Sequence, residues 1–106
     1  MDIQELRREA QTMQPQRPAD RRRLHRNPEA GAVLPETVAY VKGRLTEMGY
    51  HPQELGGGLT ATVTGTDTGR CILLRADMDA LRGQEQSGLS FRSENGCMHA
   101  CGHDMH

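Results

Sequence analysis

Residues 36–49 read ETVAYVKGRLTEMG, and within them Val38, Val41, Leu45 and Met48 recur at intervals of three and four. That spacing lines one face of an α-helix with apolar side chains. Pro35 stands just before the stretch and Gly49 closes it, the common start and stop residues of a helix. A helix over residues 36–48 is therefore the anchor of the fold. After it the period changes. Leu59, Ala61 and Val63 alternate with Thr60, Thr62 and Thr64, which predicts a half-buried strand. Gly65-Thr66-Asp67-Thr68-Gly69 predicts a turn, and the continuous run Cys71-Ile72-Leu73-Leu74 predicts a strand covered on both faces, with Cys71 as a small core hydrophobe. A helix followed by strands of these two kinds points to an α/β fold with a mixed sheet.

Upstream, Ile3, Leu6, Ala10 and Met13 keep helical spacing until Gln14, Pro15 and Pro18 interrupt it, so a short amphipathic helix and a break are expected. A second helix over residues 19–26 should stop at Asn27, because the residue before Pro28 is steered away from helical geometry. Downstream, residues 78–95 are polar and aperiodic, with glycines at 83 and 88, and read as a long loop. Loops of that length usually serve function.

The whole chain of 106 residues allows one domain or part of one. Hydrophobic residues make up only 35%, the aromatic residues are Tyr40, Tyr50 and Phe91, and mean hydropathy is -0.72, so the core must be thin. A net charge of -1 provides no field to gather nucleic acid or anionic lipid. The cluster Arg21, Arg22, Arg23 reads as a solvated helix face. No apolar run has the length of a membrane span or of a secretory signal, and a cytoplasmic protein is expected. Three cysteines cannot all pair within one chain, and in a reducing compartment they serve more often as thiols or ligands.

Chemistry concentrates at the C-terminal end, in Met98-His99-Ala100-Cys101-Gly102-His103-Asp104-Met105-His106. Side chains two apart project to one side of an extended chain, so the Cys101 sulfur and the His103 imidazole can meet one ion, and Gly102 permits a tight turn between them. A thiolate with an imidazole suits zinc or another borderline transition ion. Two ligands are too few to close a site. His99 reads as a structural hydrogen-bonding histidine and His106 as a solvated terminal residue. A second cluster, Arg75-Ala76-Asp77-Met78-Asp79-Ala80-Leu81, follows the apolar run, and strand ends are where ligands collect in α/β sheets. Asp77 and Asp79 should face the same way, to hold a ligating histidine or the ion itself, with a turn or capping role for Asp77 and a pairing role for Arg75 as the plain alternatives.

Taken in order and spacing, Arg22-Arg23-Leu24-His25 with Asn27-Pro28-Glu29, the Arg75 to Leu81 motif, and Gly96-Cys97-Met98-His99-Ala100-Cys101-Gly102-His103-Asp104-Met105-His106 resemble the hippurate hydrolase group. That group includes indole-3-acetyl-amino-acid hydrolases and N-acetyl-diaminopimelate deacetylases, and sits with the aminoacylases in clan MH of the metallopeptidases. The resemblance implies that residues 1–106 are the N-terminal portion of a single metallopeptidase-like catalytic domain, incomplete and without the lid or dimerisation domain. It implies two divalent ions, zinc, manganese or nickel, bridged by water or hydroxide. Cys101 and His103 match the family's ligands, and Asp79 matches the carboxylate behind the metals. The substrate implied is an N-acyl amino acid or a similar peptide-like amide, and a homodimer is compatible with the full-length protein.

In the family the glutamate base and the remaining ligands lie beyond the position of His106, so the isolated chain is expected to be inactive. Glu85 and Glu94 fall in the polar loop and Glu36 opens a helix, which leaves no candidate base here. Arg82 stands where the family has proline. Two other readings follow from the residues alone: a small non-catalytic zinc-binding module built on Cys97, His99, Cys101 and His103, and a basic helix over residues 21–26 that contacts nucleic acid. The net charge opposes the second.

Overall fold

The computed structural model describes residues 2–66 and 69–106. It contains helices α1 (Ile3–Thr12), α2 (Gln16–Arg26) and α3 (Pro35–Glu47), strands β1 (Gln53–Leu55), β2 (Gly58–Thr60), β3 (Leu81–Arg82) and β4 (Cys97–Met98), and one 3₁₀ turn at His103–Met105. The architecture is the helices-plus-sheet arrangement of an α/β protein, with β1 against β2 and β3 against β4 in two antiparallel ladders and a parallel bridge between Ala30 and Ala80.

The helices form where their spacing and caps predict. Asp2 caps α1 by accepting a hydrogen bond from the Gln4 N–H at 3.0 Å. The break at residues 13–15 turns the chain into α2, which starts earlier than expected because Pro18 lies in its first turn, where a missing N–H costs nothing. Asn27 ends α2, with its side-chain amide on the Arg23 carbonyl at 2.8 Å. Pro35 occupies the first turn of α3, and the Glu29 carboxylate caps that helix from outside, accepting from the N–H groups of Glu36 at 3.3 Å and Thr37 at 2.6 Å. A negative charge at a helix N-terminus satisfies orphan donors and meets the positive end of the dipole. Between α2 and α3, Asp20 accepts from Tyr40 at 2.7 Å and Arg44 at 2.9 Å. Burial opposes ionisation of Asp20, but these donors hold its carboxyl below the usual range.

The strands depart from expectation. Among the described residues, pairing in the middle of the chain is confined to the hairpin β1–β2, which turns on Gly56 and Gly57, both with positive φ. Two such residues between strands form the turn that matches strand twist. Gly57 also lies close to the chain ahead of α3: a Cβ there would stand 2.6 Å from the Ala32 carbonyl oxygen. Ala61 and Val63 carry on past β2 without a ladder. Cys71, Ile72, Leu73 and Leu74 form no strand and are exposed, the last three at 85, 89 and 90%. The expected doubly covered strand, and Cys71 as core, are thereby corrected. A strand is stabilised by ladder bonds and by faces to pack on, and no neighbouring segment among the described residues supplies either. Asp67 and Thr68 of the expected turn lie outside the described residues.

The core is as thin as composition implies. Leu34, Val38 and Ala80 are its buried hydrophobic side chains among the described residues, while Ile3, Leu6 and Met13 of α1 stay exposed. No described helix is long and apolar enough to cross a membrane.

Candidate metal centre

The loop at residues 83–96 is ordered by polar contacts rather than by a ladder of its own. Ser93 is almost wholly buried, its N–H donating to Glu85 at 3.1 Å and its hydroxyl to the Cys97 carbonyl at 2.5 Å. Asn95 donates to the Pro28 carbonyl at 2.8 Å, and the Ala80 N–H to the Glu29 carbonyl at 2.7 Å. The segment Asn27-Pro28-Glu29 therefore joins both flanks of the site to α2 and α3.

Beneath the site lies a buried ionic network. His25 of α2 places Nδ1 2.8 Å from Asp104 Oδ2 and Nε2 2.9 Å from the Glu85 carboxylate. The ring thus bridges the two carboxylates, one at each nitrogen. Arg21 adds a second donor to Asp104 Oδ2 at 2.9 Å. Glu85 receives three hydrogen bonds, from the Ser87 hydroxyl, His25 and the Ser93 N–H. They outweigh its burial and hold its carboxyl down to about 2, with the Ser87 hydroxyl contributing most. Glu85 is thus a fixed anchor, not a member of a free polar loop. The neighbouring arginines cover aromatic rings from the solvent side: Arg21 and Arg22 lie over the Phe91 ring at 5.5 and 5.0 Å, and Arg23 lies over Tyr40 at 5.3 Å. Arg22, Arg23 and Arg26 stay exposed and Arg21 is half-buried, so the helix keeps the solvated basic face its sequence suggests.

Above this network sits the turn that carries the two candidate ligands. Gly102, at φ 83°, reverses the chain between Cys101 and His103, as its lack of a side chain allows. The two residues are therefore linked by a turn and not by extended backbone. The His103 Nδ1 lies 2.9 Å from Asp79 Oδ1 and 3.0 Å from the Asp79 carbonyl, which keeps its proton on that nitrogen and leaves a lone pair on Nε2. Nε2 is 3.8 Å from Asp77 Oδ2, too far for a hydrogen bond. The Cys101 thiol is exposed and lies 3.7 Å from the same Asp79 carbonyl. Asp79 meets the His103 ring at Nδ1 and Asp77 lies on its Nε2 side, and Arg75 pairs with Asp77 at 2.5 Å. His106 is exposed, with Nδ1 3.9 Å from Asp77.

A thiol and an imidazole of fixed tautomer fit a divalent transition ion, as two ligands of an open set. Among the described residues, no three His, Cys, Asp or Glu side chains group closely enough to hold an ion by themselves. The four-ligand zinc module therefore has no geometry to rest on. His99 is buried, but both of its ring nitrogens lack a partner, so it is not the hydrogen-bonded histidine expected. Burial keeps it below the ordinary histidine range, that is, neutral. With Thr37 and Asp104 it lines a cleft of about 930 Å³ that also meets Leu24, Val41 and His103.

Reasoning from sequence did not assign roles to His25, Glu85 or Asp104. The usable signal was a charged residue type in a chain with so little apolar material, where burial demands a partner.

Comparison with known proteins places the chain. The model of peptidase family M20/M25/M40 matches residues 73–106. An N-acetyl-L-cysteine deacetylase from Bacillus subtilis is 45% identical over 89 residues, covering 81% of this chain and 21% of that protein. An N-acetyldiaminopimelate deacetylase from Oenococcus oeni is 42% identical over 96 residues, covering 81% and 24%. The crystal structure of a dinuclear metal-binding peptidase of the M20 family from Bacillus subtilis superposes with a TM-score of 0.82 at 35% identity, over 89% of this chain and 27% of that one. In sequence and in fold the chain is similar to the M20 peptidase family. It spans about a quarter of the length of the curated relatives it matches.

Proposed function

We propose that the chain carries the first metal ligands, Cys101 and His103, and the supporting carboxylate, Asp79, of an enzyme that hydrolyses the amide bond of N-acyl amino acids or similar peptide-like amides. The observation that carries this reading is the His103 ring, held through Nδ1 by Asp79 with Nε2 left without a hydrogen bond, two residues along the chain from the exposed Cys101 thiol. Relatives named as deacetylases of acylated amino acids support the substrate class. A neighbour described as dinuclear supports two divalent ions, with zinc, manganese or nickel as candidates for these donors. When bound, such ions polarise the scissile carbonyl and make coordinated water acidic.

The chain's own residues prepare that site. Asp79 holds the proton on His103 Nδ1 and sets the plane of the ring. Gly102 turns the backbone so that thiol and imidazole are presented from one short segment. Glu85 is committed to His25, Ser87 and Ser93, so it does not serve as base. General acid–base assistance is worth about 10²–10⁴-fold, and a chain without a free glutamate at the site forgoes it. The reading extends to a cytoplasmic enzyme, in keeping with three free thiols, and to a homodimer at full length.

Zinc competition with a chromophoric chelator tests the ligands: Cys101→Ser and His103→Ala each lower the affinity of the 106-residue chain at least about tenfold. Release of amino acid from hippurate and acetylated amino acids, with zinc, manganese or nickel supplied, tests the chemistry. The 106 residues alone should give no turnover, and the same residues within a chain of the relatives' length should. Metal-dependent turnover by the short chain, abolished by His103→Ala, would show the site to be complete as it stands.

A further inference from the structure

We propose that Arg21 and His25 of α2 are positioning residues for the metal ligand His103, acting through Asp104; this rests on the reading of His103 given above. Asp104 directly follows His103 in the 3₁₀ turn, and its side chain is 1% exposed. A single 3₁₀ turn is too short to hold its own shape. This one has no side-chain cap, and its internal support consists of backbone bonds from Met105 to Gly102 at 3.0 Å and from His106 to His103 at 3.2 Å. What fixes it in space are two side-chain tethers from distant parts of the chain. Asp79 grips the His103 ring from one side at 2.9 Å. From the other, Asp104 Oδ2 receives Arg21 Nε at 2.9 Å and His25 Nδ1 at 2.8 Å.

With Asp79 alone the ring would keep its tautomer, but the backbone bearing it could pivot about that contact. The second tether removes the pivot. It is charge-assisted and buried, which makes it stiff as well as strong. A ligand whose backbone is fixed in advance loses less freedom when it binds an ion, and such supporting contacts are typically worth about 10–100-fold in metal affinity. Helix α2, some eighty residues away in sequence from the ligands, thereby sets where His103 Nε2 points.

Two substitutions of His25 separate positioning from bulk stability. His25→Asn keeps a donor at the reach of Nδ1, toward Asp104, and gives up Glu85. His25→Gln keeps a donor at the reach of Nε2, toward Glu85, and gives up Asp104. Each loses one buried hydrogen bond of the same kind. Zinc affinity of the 106-residue chain, by chelator competition, should fall about tenfold in His25→Gln and stay within about twofold in His25→Asn. Thermal unfolding by far-UV circular dichroism should shift comparably in the two. Equal losses of affinity would make His25 merely structural and overturn the proposal. If neither variant folds, Arg21→Gln, which reaches the same oxygen from the partly exposed side, should lower affinity severalfold while the helices persist, and unchanged affinity there would overturn it. His103→Ala is the control. If it binds zinc like the parent, the metal reading itself fails and the inference falls with it; if it alone loses zinc, only the positioning role is refuted.

Discussion

Residues 61–76 and the region formed by α2 with residues 83–106 invert what their sequences suggest. The first has the more regular apolar pattern and ends with Ile72, Leu73 and Leu74 almost fully in solvent. The second has no usable period, yet it buries His25, Ser93 and Asp104 in a connected set of hydrogen bonds. The difference lies in where the partners come from. A β-period states what a segment can do once a neighbouring strand arrives, whereas the polar region brings both halves of each contact within its own hundred residues.

The strongest way to break that contrast is Asp104→Ala, which leaves His25 and the Arg21 guanidinium facing an emptied site. Removing one partner of a buried ion pair costs about 3–5 kcal/mol, a large share of the stability of a domain with so small a core. Urea unfolding should show that loss, and a cost under about 1 kcal/mol would mean that the network does not organise the region. An intermediate effect is expected with acid. The Glu85 carboxyl, held down to about 2 against an ordinary 4.5, contributes stability that is fully present above the ordinary value and lost as pH falls through about 2. Unfolding curves between those limits should steepen in the parent and flatten in Glu85→Gln. The same acid response in both would place the titrating group elsewhere. The smallest effect belongs to the other region. Leu73→Ser should leave monomer stability within about 0.5 kcal/mol while reducing self-association in sedimentation experiments, because an exposed apolar run invites pairing with another copy. A larger loss of stability would show that the run is packed in solution.

How far sequence reached follows the same division. The three helices were legible because their stripes and punctuation are local: Pro35 and Gly49 bracket α3, and Asn27 stops α2. The ligand turn and the convergence of Asp77 and Asp79 on His103 were legible from residue type and spacing. The strand at residues 71–74 was misread because its pattern presupposes neighbours. The contacts that Arg21 and Arg22 make were hidden because charge alone does not say whether a carboxylate or an aromatic ring waits across the helix; Phe91 and Asp104 lie far along the chain. The orphaned nitrogens of His99 were equally out of reach, since a missing contact leaves no mark in sequence.

The hairpin turn sets a limit on how this protein can drift. Gly56 and Gly57 look interchangeable on paper, since both have positive φ. Gly56 faces open space, so asparagine or aspartate, which tolerate that conformation, are admissible replacements there. At Gly57 the first carbon of any side chain would meet the Ala32 carbonyl at 2.6 Å, so the backbone itself would have to move. Of two identical neighbouring letters, one is free to vary among descendants and the other is held by a segment twenty-five residues earlier, at the entrance to α3.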